Sequence, residues 1–241
     1  MKDYRAKLYS KYNSSIYAVD GKNSFDLKSS EEDIEYEYSE FLPKEKKAAI
    51  LDVGCGMGHF VSYMQSRGFE NVTGVDRSAE QVECCLAAGL PVVKIDDVFE
   101  YLQSRSNSFD LIMMSDVLEH FDKNEVLQVL EDLKNALTAN GVLVLRVPNM
   151  SSIYGLHNRY IDFTHEVGFT ESSLNQVLIC TGFNKIYMRA NKIPFGFTPK
   201  RLARWILFWL WRKILDFIFL IEVGEDKPRL YGKTLIAVAS R

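Results

Sequence analysis

The stretch Ala48-Ala49-Ile50-Leu51-Asp52-Val53-Gly54-Cys55-Gly56-Met57-Gly58 decides the fold. A short apolar run ending in alternate glycines marks a parallel strand buried on both faces that feeds a tight turn. Glycines in such a turn let the backbone approach a ligand and aim free amides at it. The spacing is GxGxG. The third glycine position of a dinucleotide fingerprint is taken by His59. Asp52 would repel a pyrophosphate but suits a cationic amine, which argues against a nucleotide-dependent dehydrogenase.

Outward from this turn, strands and helices alternate. NVTGVD, PVVKID, FDLIMMSD and NGVLVLRVP read as strands, the last after an Asn-Gly turn, and FNKIYMRA and TLIAVAS as two final ones. Between them lie helices from His59 to Arg67, from Ser78 (a candidate N-cap) to the stop at Gly89, from Val98 to Ser104, from Asn124 to Leu137, and over TESSLNQVLICTG. This pattern predicts an α/β fold of the Rossmann-like kind, with a mostly parallel sheet and helices on both faces. The 241 residues read as one domain, in which 1–46 form an N-terminal helical cap, 47–190 and 230–241 the core, and 191–229 an amphipathic helical insertion before the last strand.

Composition narrows the classes. Hydrophobic residues at 47% and charged ones at 25% exclude a disordered or fibrous chain. A net charge of −3 gives no reason to propose a nucleic-acid partner. Four cysteines without a CxxC or Cys/His pairing suggest neither a disulfide framework nor zinc, and MKDYRAKLYSKY lacks the apolar region of a signal peptide, so the expected location is the cytoplasm.

Four acidic or polar sites end successive strands: Asp52, Asp76, the pair Asp96 and Asp97 beside Val98, and Ser115-Asp116 ahead of Val117-Leu118-Glu119-His120. Open α/β sheets bind ligands at such carboxyl ends. As an ordered set, DVGCGMGHF, GVD, the third-strand acid, FDLIMMSDVLEH and LTANGVLVLRVPN resemble the motifs of class I S-adenosylmethionine-dependent methyltransferases. The resemblance covers about 47–189 and the last strand. It implies seven strands with the last antiparallel, S-adenosylmethionine as cofactor and S-adenosylhomocysteine as product. It also implies that Asp52, Gly54 and Gly56 line the methionine part, that Asp76 takes the ribose hydroxyls and Asp97 with Val98 the adenine, and that Ser115 and Asp116 border the methyl group.

A shorter stretch, Arg159 to Thr170 with His165, is similar to one in methyltransferases of bacterial surface-polysaccharide pathways and, in altered form, in quinone O-methyltransferases. KLYSKYNSS is similar to the start of the polysaccharide group. These imply an O-methyltransferase acting on a sugar hydroxyl of a surface glycan or its precursor. The alternatives are a quinone-type or other small-molecule acceptor, and a non-catalytic partner protein that keeps the fold. A hydroxyl acceptor must lose a proton, so a histidine base is expected, with His165 ahead of His157 and His120. Arg159 suits either a phosphate or structural pairing. No three-carboxylate constellation points to magnesium, and no metal ligand is expected.

The insertion carries the most apolar stretch, RLARWILFWLWRKILDFIFLIEVG, interrupted by Arg204, Arg212, Lys213 and Asp216. Eight Lys or Arg and no acid lie between Ser172 and Leu215. On a helical wheel the charges gather on one half and Leu, Ile and Phe on the other. Residues 199–221 therefore suit contact with the inner face of a membrane, a homodimer partner, the acceptor, or the chain's own core.

Overall fold

The computed structural model describes residues 4–9, 11–12, 31–192, 198–224 and 228–241. Ser10 and the end of KLYSKYNSS, part of the expected N-terminal cap and short pieces of the insertion lie outside these residues. In chain order the elements are α1 (Tyr4–Tyr9), α2 (Glu31–Tyr38), β1 (Ala49–Val53), α3 (His59–Ser66), β2 (Asn71–Asp76), α4 (Ala79–Ala87), β3 (Val92–Lys94) and α5 (Val98–Gln103). Then come β4 (Phe109–Ser115), a 3-10 turn at Leu118–His120, α6 (Lys123–Ala136), β5 (Leu137–Pro148), α7 (Gly155–Tyr160), α8 (Glu171–Cys180), β6 (Lys185–Ala190), α9 (Pro199–Val223) and β7 (Thr234–Ser240).

The seven strands form one sheet in the order β3-β2-β1-β4-β5-β7-β6. β1 to β5 pair in parallel, and β7 runs antiparallel to both β5 and β6. The strand order reverses between β1 and β4, so their carboxyl ends open a crevice there.

Period-two alternation sends successive side chains to opposite faces of this sheet. Leu51, Val53, Ile112, Met114, Leu143 and Leu145 pack with α6 and α8 on one face, while Ile50, Leu111, Met113, Val144 and Ile236 pack with α3 and α4 on the other. Asp52 shares a face with Ile50 and is almost fully buried. Helix α6 is started by a capping box: Asp122 accepts from the amides of Asn124 and Glu125 at 2.8 and 3.0 Å, and the Asp122 amide donates to Glu125 at 2.8 Å.

The structure differs from the sequence reading in two local features and narrows a third. Asn140-Gly141 forms no turn ahead of the strand. β5 runs through it from Leu137, with an irregular register opposite Phe109 and Leu111, and a Cβ on Gly141 would sit 2.7 Å from the Phe109 carbonyl. Ser78 occupies the N-cap position of α4, but its hydroxyl makes no cap; the Ser78 amide instead donates to Asp76 at 2.7 Å. The insertion does not bury itself in the chain's own core, because α9 has Leu215 as its one buried residue. Among the described residues, no helix is long and apolar enough to cross a membrane.

Candidate active site

The glycine turn sits at the crevice. Gly54, Gly56 and Gly58 all have positive φ, at 70°, 54° and 74°. A Cβ on Gly54 would stand 2.3 Å from Val117 Cγ2, so this position is closed to any side chain. Asp76 pins the turn from β2, accepting from the Gly56 amide at 2.8 Å through one oxygen and from the Ser78 amide through the other. Burial raises the Asp76 pKa, and these amides oppose the rise.

Two cavities meet at this turn. The first, of about 850 Å³, is lined by Asp76, Asp97, Val98 and Phe99 over β2 and β3, and by Tyr4, Tyr9, Tyr12, His120 and Glu166 beyond β4. The second, of about 680 Å³, is lined by Asp52, Ser115, Arg146, Lys192, Arg204 and Lys233. Gly54, Gly56 and Asp116 belong to both walls. Asp116 has φ 55° and forms an ion pair with Arg146 at 3.3 Å. Burial, and then the nearby Asp76 charge, push Asp52 up to about 8. Asp97 also caps α5, accepting from the Phe99 amide at 2.8 Å, whereas Asp96 pairs with Lys94 and is largely exposed.

The second cavity carries charges of both signs, with Asp33, Glu37, Asp52 and Asp116 beside Arg146, Lys192, Arg204 and Lys233, a mixed lining that suits a zwitterionic amino acid. The first suits a nucleoside at its β2–β3 side. The eight positions expected to contact a cofactor therefore all reach these walls.

The histidines separate. His157 lies on the exposed side of α7, outside the lining of either cavity. His120 and His165 stand edge to face, with ring centroids 4.7 Å apart. His165 Nδ1 donates to the Asn158 carbonyl at 2.8 Å. His120 Nδ1 lies 2.7 Å from the Thr164 hydroxyl, which donates its own hydrogen to Asp162 at 2.7 Å and so accepts from the ring. Both imidazoles thus engage Nδ1 with the protein, and the His120 ring also interacts with the Asp116 and Thr164 backbones. Burial, with help from His165, lowers His120 to about 4 and keeps it neutral.

Beside them, Glu119 is buried with no hydrogen bond to either carboxylate oxygen, and one oxygen lies 4.0 Å from His165 Nε2. Burial and then the Asp116 charge raise Glu119 well above its usual range. One ligand atom from each of Glu119, His120 and His165 lies within 4.8 Å of the others. This trio can hold a metal ion, and the sequence reading, which looked for three carboxylates, expected none. The one available signal was the Glu119-His120 pair, since its partner His165 joins only in the fold.

Long-range contacts close this end. Tyr4 hydrogen-bonds Glu166, Arg5 Nη1 donates to both carboxylate oxygens of Glu125 at 2.7 and 2.8 Å, and Tyr12 donates to Asp162 at 2.7 Å. Arg159 donates to the carbonyls of His165 and Glu166, which gives it a structural role.

A family profile described as "Methyltransferase domain" matches residues 30–187, well over half of the chain. The chain belongs to this methyltransferase-domain family. Ubiquinone biosynthesis O-methyltransferase from Rickettsia canadensis is 29% identical over 107 residues, 43% of this chain and 44% of that protein. A tRNA U34 carboxymethyltransferase from Ectopseudomonas mendocina is 35% identical over 101 residues, covering 40% and 31%. These matches span less than half the length of either relative.

Among solved structures, a SAM-dependent methyltransferase from Archaeoglobus fulgidus superposes with a TM-score of 0.63 at 22% identity, covering 99% of this chain and all of that one. A Haemonchus contortus phosphoethanolamine N-methyltransferase, in complex with S-adenosylhomocysteine, gives 0.68 at 16% identity, covering 100% and 61%. S-adenosylmethionine is the cofactor this methyltransferase family and its structural neighbours imply. The walls fit it: a glycine cradle that a Cβ would fill, Asp52 for an amine and cations for a carboxylate.

Proposed function

We propose that the chain is an S-adenosylmethionine-dependent O-methyltransferase whose acceptor is a polar, sugar-like hydroxyl compound, activated by a divalent cation at Glu119, His120 and His165. When bound, S-adenosylmethionine supplies an electrophilic methyl group on a positively charged sulfur. The residues must then hold the acceptor oxygen in line with that group and exclude water.

The observation that carries this reading is the orphaned, buried carboxylate of Glu119 beside two imidazoles with their Nδ1 atoms tied back. Such a carboxylate is costly unless a cation or proton meets it. Two imidazoles and a carboxylate, with their other nitrogens fixed by Thr164 and Asn158, form a donor set of ordinary metal-site type. A divalent cation there would lower the pKa of a coordinated hydroxyl, so no strongly basic side chain is required. Tyr4, Tyr9, Tyr12, Arg5 and Glu166 form a wall of aromatic faces and charged groups. That wall suits a polyhydroxylated acceptor better than a prenyl chain.

Manganese titrated into the intact protein should bind in wild type and fail in Glu119→Gln. Methyl-labelled cofactor should then transfer to nucleotide- or lipid-linked sugars and stop with EDTA. Transfer solely to a prenylated phenol would replace the sugar acceptor with the quinone type, which the ubiquinone-biosynthesis relative favours. Transfer indifferent to EDTA would return the proton to a histidine base. Cofactor binding without transfer to any acceptor would leave a partner protein with this fold.

A further inference from the structure

Helix α9 turns a mixed face (Phe208, Arg212, Leu215, Asp216 and Phe219) toward the protein and leaves a wide apolar face exposed to solvent. Leu215 is buried on the inward face. The same face carries Asp216, which accepts a hydrogen bond from the Tyr231 hydroxyl at 3.2 Å, and Phe219, stacked on Tyr231 at 5.3 Å. Arg212 also lies over the Tyr231 ring, 6.0 Å from its centroid. At 100° per residue the opposite face is centred on Ile206, Leu210, Ile214, Phe217 and Ile221. All five are exposed, Phe217 by 63% and Ile221 by 68%, where a helix of an ordinary globular surface would present charges.

The margins decide what this face fits. Trp209 lies off one edge of the stripe and Trp211 off the other, while Trp205 projects nearer the protein-facing side. Lys213 emerges beside the stripe and rests its ammonium 5.8 Å from the Trp209 ring. Lys200, Arg201 and Arg204 are exposed over the first turns. Of the two acids, Asp216 is turned inward to Tyr231 and Glu222 sits at the far end. The charges around the stripe are therefore nearly all positive. A second copy would bring like charges together, Lys213 included, with Glu222 the one exposed acid of α9 among the described residues to answer them.

We propose that the outward face of α9 docks on the surface of an anionic lipid bilayer, with its apolar stripe among the acyl chains, tryptophans at the headgroup level and cations on the lipid phosphates. The helix lies in the surface and does not cross it. Arg204 also lines the second cavity, so docking holds that cavity's rim at the headgroups. The inference is independent of which acceptor is methylated.

The chain has three tryptophans, at 205, 209 and 211, so its intrinsic tryptophan fluorescence reports on α9 alone. The intact protein is mixed with phosphatidylglycerol vesicles, with phosphatidylcholine vesicles, and with vesicles of brominated phosphatidylglycerol. The proposal predicts a blue shift and co-sedimentation with the anionic vesicles, loss of both at high salt, and quenching by the brominated lipid. Leu210→Ser with Phe217→Ser alters exposed positions and should stay folded by circular dichroism while losing about tenfold or more of the partitioning. Unshifted emission with every vesicle would overturn the proposal. So would a dimer seen by light scattering whose emission is already blue-shifted and unchanged by anionic lipid.

Discussion

The two sides of the site are built differently. The cofactor side is a single turn, Asp52 to Gly58, pinned by Asp76 across one neighbouring strand. The proposed acceptor side brings together α1 with Tyr12 beyond it, the turn at Leu118–His120 and the chain from Asn149 to Thr170, through contacts such as Tyr4 with Glu166 and Tyr12 with Asp162. The first is determined by backbone geometry and short sequence spacing. The second depends on side chains that meet across more than a hundred residues, so changes on one side should leave the other measurable.

The largest effect is expected at the turn. Gly54→Val places a branched side chain against Val117 at positive φ, and cofactor affinity should fall by about a hundredfold or more with the fold retained. Titration of S-adenosylmethionine with a melting curve on the same sample checks both parts. At the opposite side, Glu119→Gln should lower kcat by about a hundredfold or more while leaving cofactor affinity within about twofold. A matching loss of cofactor binding would erase the distinction between the two sides.

A smaller, pH-dependent effect sharpens it. Asp52 is held up to about 8, so below that pH it is neutral in the free protein and must release a proton to pair with the cofactor amine. Affinity for S-adenosylmethionine should therefore rise as pH climbs toward 8, by at most about tenfold per unit, and level off above it. The free protein loses stability over the range from ordinary carboxylate pH to 8, because ionising the buried group is unfavourable. Cofactor-induced stabilisation should accordingly grow with pH, and Asp52→Asn should flatten both trends.

The mildest change is Glu125→Ala. It removes half of the α6 capping box and the anchor of Arg5 on α1. A loss of about 0.5–2 kcal/mol in stability is expected, with a higher acceptor KM and unchanged cofactor affinity. Thermal unfolding and steady-state kinetics read these separately.

The sheet was legible, and the residues proposed to hold the cofactor could be singled out, because their signals are local. A buried strand, a glycine turn and an acid at the next strand's end sit within a few residues of one another, as Asp52, Gly54 and Asp76 do. Misreadings came where tertiary packing overrides a local preference. Asn140-Gly141 has turn chemistry but is drawn into β5, and Ser78 has cap chemistry but its hydroxyl makes no cap while its amide is held by Asp76. The acceptor side was legible only in pieces. Nothing in the spacing says that His165 meets Glu119 while His157 faces away. Helix α9 was visibly amphipathic, yet which half faces solvent is set by Tyr231 and its contacts, twelve or more residues downstream of the inward residues Phe219 and Asp216.

The central claim is that the glycine turn and the acids around it hold S-adenosylmethionine. Isothermal titration of the intact chain, beside Asp76→Ala, tests it most directly. The account predicts one site per chain, saturable by S-adenosylmethionine and S-adenosylhomocysteine, and weakened by about tenfold or more in the variant. No heat of binding from a folded sample over a range of temperatures, or equal affinity in both proteins, would contradict it.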